Sequence, residues 1–342
     1  MDFFLLTDVI VLVMQFLAII LNAAVIFILS RVKKDTASLR LVCLLALTDF
    51  IHAVAVLFYT IYLVCMWHPF RIDMNPYYVM ISSTPLVIQL KINLTLTVAI
   101  ALDRLLALYV PVRYRMISPA KFSAIALVVG FLAGICDLII EFSLTPFRRM
   151  ENCAAVGCFV DKRFLLYWGT SNMVLGVAVI LLTFFVLVKL QQMKGRSMQS
   201  MVTPKNEGTK FAQIVTREVA VAFDYQLLRG VSLPPAVIKA NRASKSFLLC
   251  SLVCLTIPSV VVGGAELFGF SLFQYVGPFY LVGLLCAGCS NCIVFMFFNT
   301  KMRAYLRTCT TKSDSGGWSY LSQRRGDTTF KSQNQLTHTD MK

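Results

Sequence analysis

Long apolar runs separated by short polar breaks dominate the chain. Seven stretches of mostly apolar residues recur at about 9–29, 41–66, 77–110, 122–140, 164–190, 247–268 and 276–298. A helix needs about 20 apolar residues to cross the hydrocarbon core of a bilayer. The pattern therefore predicts an all-α integral membrane protein, a bundle of seven transmembrane helices over residues 1–298. The third stretch carries Gln89, Lys91, Asn93, Asp103 and Arg104. Such groups are too costly to face lipid, so this span is expected at the centre of the bundle. A long polar segment at about 191–246 separates the fifth and sixth spans, and residues 299–342 read as a polar tail.

Composition agrees with this class. Of 342 residues, 58% are hydrophobic and 14% charged, and the mean hydropathy is +0.73. A soluble domain carries about 25% charged residues, and disorder needs low hydrophobicity. The net charge of +15 invites a nucleic-acid reading until the basic residues are placed. With the N-terminus outside, 26 of the 32 Lys and Arg fall on the inner side and 5 on the outer side. Basic residues favour the cytoplasmic side, so the expected orientation is N-terminus out and C-terminus in, with a lipid bilayer and no nucleic acid as the basic partner. Asp2 and Asp8 stand ahead of the first run and no basic segment precedes it. The first span is expected to act as its own signal anchor. No internal repeat of the kind found in many transporters is visible.

Short motifs narrow the class. Asp103 and Arg104 are followed by Ala107, Pro111, Val112 and Tyr114. Leu45 and Ala46 lead to Asp49; Asn22 and Pro258 stand in the first and sixth spans, and Asn291 to Phe295 in the seventh. This set resembles the signatures of rhodopsin-like G-protein-coupled receptors. The run Glu-Asn-Cys-Ala-Ala-Val-Gly-Cys at 151–158, then Phe164, Tyr167 and Trp168, resembles the second outer loop of nematode serpentine chemoreceptors of class BC. Ala240 to Arg242 and Val276 to Phe279 fit the same class. The resemblance implies a chemosensory receptor that binds a small-molecule environmental or pheromone cue in the outer half of the bundle. It also implies activation of a heterotrimeric G protein and a place in the plasma membrane of sensory-neuron cilia. Departures are Leu105 for the usual Tyr, Thr256 for the usual Trp, Cys292 for the usual Pro, and no Cys at the start of the third span. The stretch 205–239 is longer than the class expects.

Several residues carry expected roles. Asp103 would hold the ionised Arg104 at the inner end of the third span, with Pro111, Tyr114, Asn291 and Phe295 belonging to the same coupling region by resemblance. Asp49 lies inside the second span and must be hydrated, paired, protonated or bound to a cation. Asn22 and Asn93 are its neighbours by resemblance, as a sodium site or a hydrated polar network. Lys91 near mid-membrane needs a partner, and Asp49, Asp137, Glu141 and Glu266 are the available carboxylates. Asp137 and Glu141 share a helix face at i and i+4. Two readings stand: a structural ion pair, or a pocket floor in which Gln89, Lys91, Asp137, Glu141 and Glu266 meet an acidic or carbonyl-bearing cue.

Cys153 and Cys158 face the oxidising side, where they would bridge each other or one would pair with Cys65. Cys286, Cys289 and Cys292 read as a packing stripe rather than a metal motif. The basic and apolar residues at 301–307 suggest a short amphipathic helix on the inner leaflet, with Cys309 beside it a lipidation candidate. Three scattered histidines, His52, His68 and His338, and no Gly-x-Ser-x-Gly argue against an enzyme. No cofactor is expected, and a seventh span without Lys argues against retinal. The alternative from another class is a seven-helix ligand-gated channel or transporter.

Overall fold

Seven helices long and apolar enough to cross a membrane are present among the described residues of the computed structural model. The structure describes residues 2–31, 37–68, 72–150, 153, 155–202, 246, 248–270 and 279–298. The first span is α1 (Asp2–Arg31). The second is α2 (Ala37–Ala55) continued by α3 (Leu57–Cys65). These join at Val56, whose N–H still donates to the His52 carbonyl at 2.9 Å. The third span is α4 (Pro76–Tyr109), followed by the short α5 (Pro111–Met116), and the fourth is α6 (Pro119–Leu144). The fifth is α7 (Lys162–Val202). The sixth combines a π turn at Leu252–Thr256 with α8 (Ile257–Leu267), and the seventh is α9 (Phe279–Phe298).

Local sequence sets the starts of the helices around the third span. Asn75 caps α4 by accepting the Tyr77 N–H at 3.0 Å, and Pro76 takes the first helical position. Proline suits that position because its missing N–H would have no partner there. Pro85 interrupts α4 further on. It removes one donor to the Ile81 carbonyl, and the Thr84 hydroxyl donates to that carbonyl at 2.9 Å instead. α4 is the most enclosed span, with 72% of its apolar window buried. It packs against α2, α6 and α7.

The buried positions of α1 from Asp8 to Val25 are Asp8, Val11, Gln15, Ala18, Asn22 and Val25. They advance by three and four residues alternately, the pitch of one helix face. Every seventh position on this face from Asp8 to Asn22 is polar. Asp8 thus lies inside the first span, not ahead of it as the apolar run suggested, because α1 begins at Asp2. α7 runs to Val202 and takes the start of the expected 191–246 loop into helix. Gln, Met, Lys and Arg in that stretch are good helix formers.

Pro258 lies two residues beyond the π turn. A wide turn removes the clash between the proline ring and the carbonyl four residues earlier. The Thr256 hydroxyl donates to the Ser251 carbonyl at 3.2 Å across it. Glycines press the neighbouring helices onto this element. A Cβ on Gly263 would stand 2.5 Å from the Gly169 carbonyl oxygen and 2.6 Å from Met173 Cβ. One on Gly283 of α9 would stand 2.7 Å from the Cys254 carbonyl, and one on Gly176 of α7 3.3 Å from the Thr256 carbonyl.

The loop after α6 folds onto the core. Cys153, Phe159 and Val160 are buried with Tyr59, Met80 and Phe164 in one apolar cluster. The Asp161 N–H donates to Thr145 Oγ1 at 3.2 Å and joins the two ends of this loop.

Candidate functional site

Three polar clusters lie along α4. Toward its C-terminal end Asp103 is almost fully buried. Its Oδ2 stands 3.4 Å from the Arg104 guanidinium, and its Oδ1 accepts the Tyr114 hydroxyl at 2.9 Å. Pro111 begins α5 and so fixes the turn that returns Tyr114 to α4. Burial and the negative charge of Asp103 push the Tyr114 phenol up to about 12, so it remains the donor in this bond. The arrangement puts the Arg104 guanidinium and the Tyr114 hydroxyl on one shared carboxylate.

The second cluster surrounds Asp49. Gln89 Nε2 donates to Asp49 Oδ1 at 2.7 Å and Asn93 Nδ2 donates to the same atom at 3.1 Å. The other oxygen, Oδ2, is buried without a hydrogen-bond partner among the described residues. Gly288 of α9 allows this close approach, since a Cβ there would stand 3.2 Å from Oδ2. A small cavity adjoins the carboxylate and is lined in part by Asn22, Asn291, Cys292 and Phe295. Asn22 accepts the Cys292 thiol at 3.0 Å and donates to the Ala18 carbonyl at 2.9 Å. Both polar atoms of the Asn291 side chain are buried without a hydrogen-bond partner among the described residues. Buried polar atoms of this kind are satisfied by water or an ion.

The third cluster is built on Lys91. Its ammonium donates to Ser171 Oγ at 2.5 Å and to Asn172 Oδ1 at 2.8 Å. It also stands 3.3 Å from Asp137 Oδ2. The Tyr167 hydroxyl donates to Asp137 Oδ1 at 3.1 Å. Glu141, one turn outward from Asp137 on α6, is buried as well. Gln89 does not join this cluster although it was grouped with Lys91. Two residues turn a helix through about 200°, so Gln89 reaches α2 while Lys91 reaches α6 and α7. Glu266 lies elsewhere, its Cγ 3.4 Å from where a Cβ on Gly169 would stand.

The structure joins Cys153 to Cys158 in a disulfide. The turn at Val156–Cys158 brings them together, and Cys65 is an exposed free thiol. Among the described residues no group of three or more metal-ligating side chains occurs. Cys309, the basic segment 301–307, the tail 299–342 and the stretch 205–239 lie outside the described residues.

Some participants escape a reading of the sequence. Ser171 and Asn172 are unremarkable in an apolar run, and only the need of Lys91 for acceptors would single them out. Gln15 is fully buried on α1 with both amide atoms unpartnered among the described residues. Its signal is the seven-residue interval from Asp8 to Gln15 to Asn22.

The family model of the serpentine type 7TM GPCR chemoreceptor Srbc matches residues 1–217, and the chain belongs to that family. The family is a nematode class of seven-transmembrane chemoreceptors, not an enzyme family. No curated protein matches the chain. Family and fold together define a multi-pass membrane protein of the chemosensory G-protein-coupled receptor class.

Proposed function

We propose that this receptor takes a small-molecule environmental or pheromone cue in the outer half of the bundle and activates a heterotrimeric G protein at its inner face. It would do so at the plasma membrane of sensory-neuron cilia, with its N-terminus outside, its C-terminus inside and residues 299–342 forming the cytoplasmic tail. The observation that carries this reading is Asp103, bound at once by Arg104 and by Tyr114. Arg presents a permanent charge on a rigid fork of donors. Holding that fork against Asp103 keeps it from a partner, and breaking the hold supplies a fixed positive group at the inner surface.

Cue binding shifts the balance between held and released states only by its differential affinity for the two. The outer cluster of Lys91 and Asp137 and the inner cluster of Asp103 and Arg104 share one helix, α4. The Asp49 network joins α4 at Gln89 and Asn93, level with Lys91, and would hold water or a small cation beside the Asp49 oxygen that has no partner among the described residues. Cys309 would add a lipid anchor at the start of the tail.

The test is Arg104→Ala in cells that carry a G-protein reporter. Surface abundance should match the wild type while ligand-stimulated nucleotide exchange disappears. Wild-type exchange by this variant sinks the reading.

A further inference from the structure

The cluster around Lys91 leaves one carboxyl group over. An ammonium has three N–H donors, and the three neighbours of Lys91 are Ser171, Asn172 and Asp137. Asp137 spends its remaining oxygen on the Tyr167 hydroxyl. Glu141 shares the face of Asp137 one turn outward and is 1% exposed. Its Oε2 is enclosed with no hydrogen-bond partner among the described residues. The titratable neighbour one turn away on its own helix is another carboxyl, that of Asp137. Of the two carboxyl groups, Asp137 takes the ammonium, and Glu141 Oε2 is left without a hydrogen-bond partner among the described residues.

Glu141 also lies close to the end of its helix. It is three residues from the end of α6 at Leu144, about 4.5 Å below the outer end of the helix. Thr145, bonded to Asp161, closes the loop just beyond it. On α7, Phe164 stands one turn outward from Tyr167, as Glu141 does from Asp137. Phe164 is buried and its ring centroid lies 6.0 Å from that of Trp168.

We infer that the cue is a small organic amine whose ammonium pairs with Glu141 while its carbon tail packs on the aromatic side chains of α7. This rests on the proposed binding of a cue in the outer half of the bundle. It replaces the acidic cue that Lys91 alone suggested. An acid would have to displace three acceptors from Lys91 and then face two carboxyl groups. An amine meets a buried carboxyl whose Oε2 lacks a partner among the described residues, while the charge of Asp137 is already met by Lys91. A buried charge is costly alone and tolerated when paired.

The experiment uses the full-length receptor in lipid nanodiscs and thermal unfolding as the readout. The probes are n-butylamine to n-octylamine, set against carboxylic acids and alcohols of equal chain length. Amines should raise the unfolding temperature of the wild type in a saturable way, and acids and alcohols should not. Glu141→Gln should weaken the amine effect by about thirtyfold or more, the scale for removing one partner of a buried charge pair. If Glu141→Gln fails to fold, Glu141→Asp keeps the charge and should retain a weakened response to amines alone. Equal stabilisation by acids or alcohols overturns the inference, as does undiminished amine binding by Glu141→Gln. A pH-dependent stability lost in Glu141→Gln, with no amine effect in the wild type, marks a proton site only and overturns it too. Amine binding that depends on Glu141 but stimulates no nucleotide exchange leaves the inference standing and removes the G-protein reading.

Discussion

Gln89 and Lys91 stand two residues apart on α4 and serve opposite sides of it. Gln89 donates to Asp49 at 2.7 Å on the second span, while Lys91 reaches Asp137 at 3.3 Å on the fourth. One helix turn thus joins two polar systems that share no hydrogen bond with each other among the described residues. Substitutions at the two positions should separate cleanly. Lys91→Met leaves a buried carboxylate without its ammonium, a loss of about 3–5 kcal/mol. Surface abundance should fall sharply. Lys91→Met combined with Asp137→Leu removes both charges and should recover most of it. Surface labelling of the single and double variants measures this, and a double variant no better than Lys91→Met refutes the pairing.

Tyr114→Phe should raise basal signalling. The hydroxyl donates to a carboxylate at 2.9 Å, and a hydrogen bond to a charged group contributes about 1.5–3 kcal/mol. If that bond exists only in the held state, its loss moves the balance toward release by about tenfold or more. Nucleotide exchange without added ligand is the measurement. Basal exchange equal to the wild type means the bond persists in both states.

Neighbouring glycines should behave differently. A Cβ on Gly263 meets the Gly169 carbonyl at 2.5 Å, whereas one on Gly264 meets nothing within 4 Å. Gly263→Ala should cost about 1–3 kcal/mol through forced separation of α7 and α8. Gly264→Ala should be neutral or stabilising by up to about 1 kcal/mol. Thermal unfolding of the purified variants decides, and equal effects would mean that the contact yields freely.

Peptide mapping without reduction should recover Cys153 linked to Cys158, with Cys65 alkylated. Cys158→Ser should cost about 2 kcal/mol or less, since the bridged loop is short. Cys65→Ser should leave surface abundance unchanged. Recovery of Cys65 in a disulfide with either loop cysteine overturns the assignment.

Topology is tested with tags. An epitope at Met1 should bind antibody on intact cells, and one at Lys342 only after permeabilisation. The reverse result removes the proposed inner face from the cytoplasm.

Seven spans were legible because each needs only length and apolarity, which the sequence displays directly. The faces of those spans were not. On α1 the exposed positions include Leu6, Val13, Phe16 and Ile20, while Val11, Ala18 and Val25 are buried. Lipid and protein core are both apolar, so hydrophobicity does not separate the two sides. Polar residues mark the inner face instead, and reading Asp8, Gln15 and Asn22 as one row would have found it. The sequence offered four carboxylates for Lys91, but the choice of Asp137 depends on the close seating of α6 on α4. Gly130 and Gly134 allow that seating, each within 3.0 Å, by a built Cβ, of an α4 backbone atom. Pro258 signalled an irregularity in the sixth span, yet nothing nearby distinguished a kink from the π turn.

The glycine contacts of the sixth span also fix where it can act as a lever. α7 grips α8 from Gly169 to Gly176, and Gly283 of α9 bears on the π turn from the other side. The outer arm is thereby clamped to its neighbours, and the π turn becomes the fulcrum. Under the proposed coupling, a swing about that fulcrum would move the segment ahead of Ser251, where Leu248 shares an apolar cluster with Val186 and Leu96, and leave the glycine seats in place.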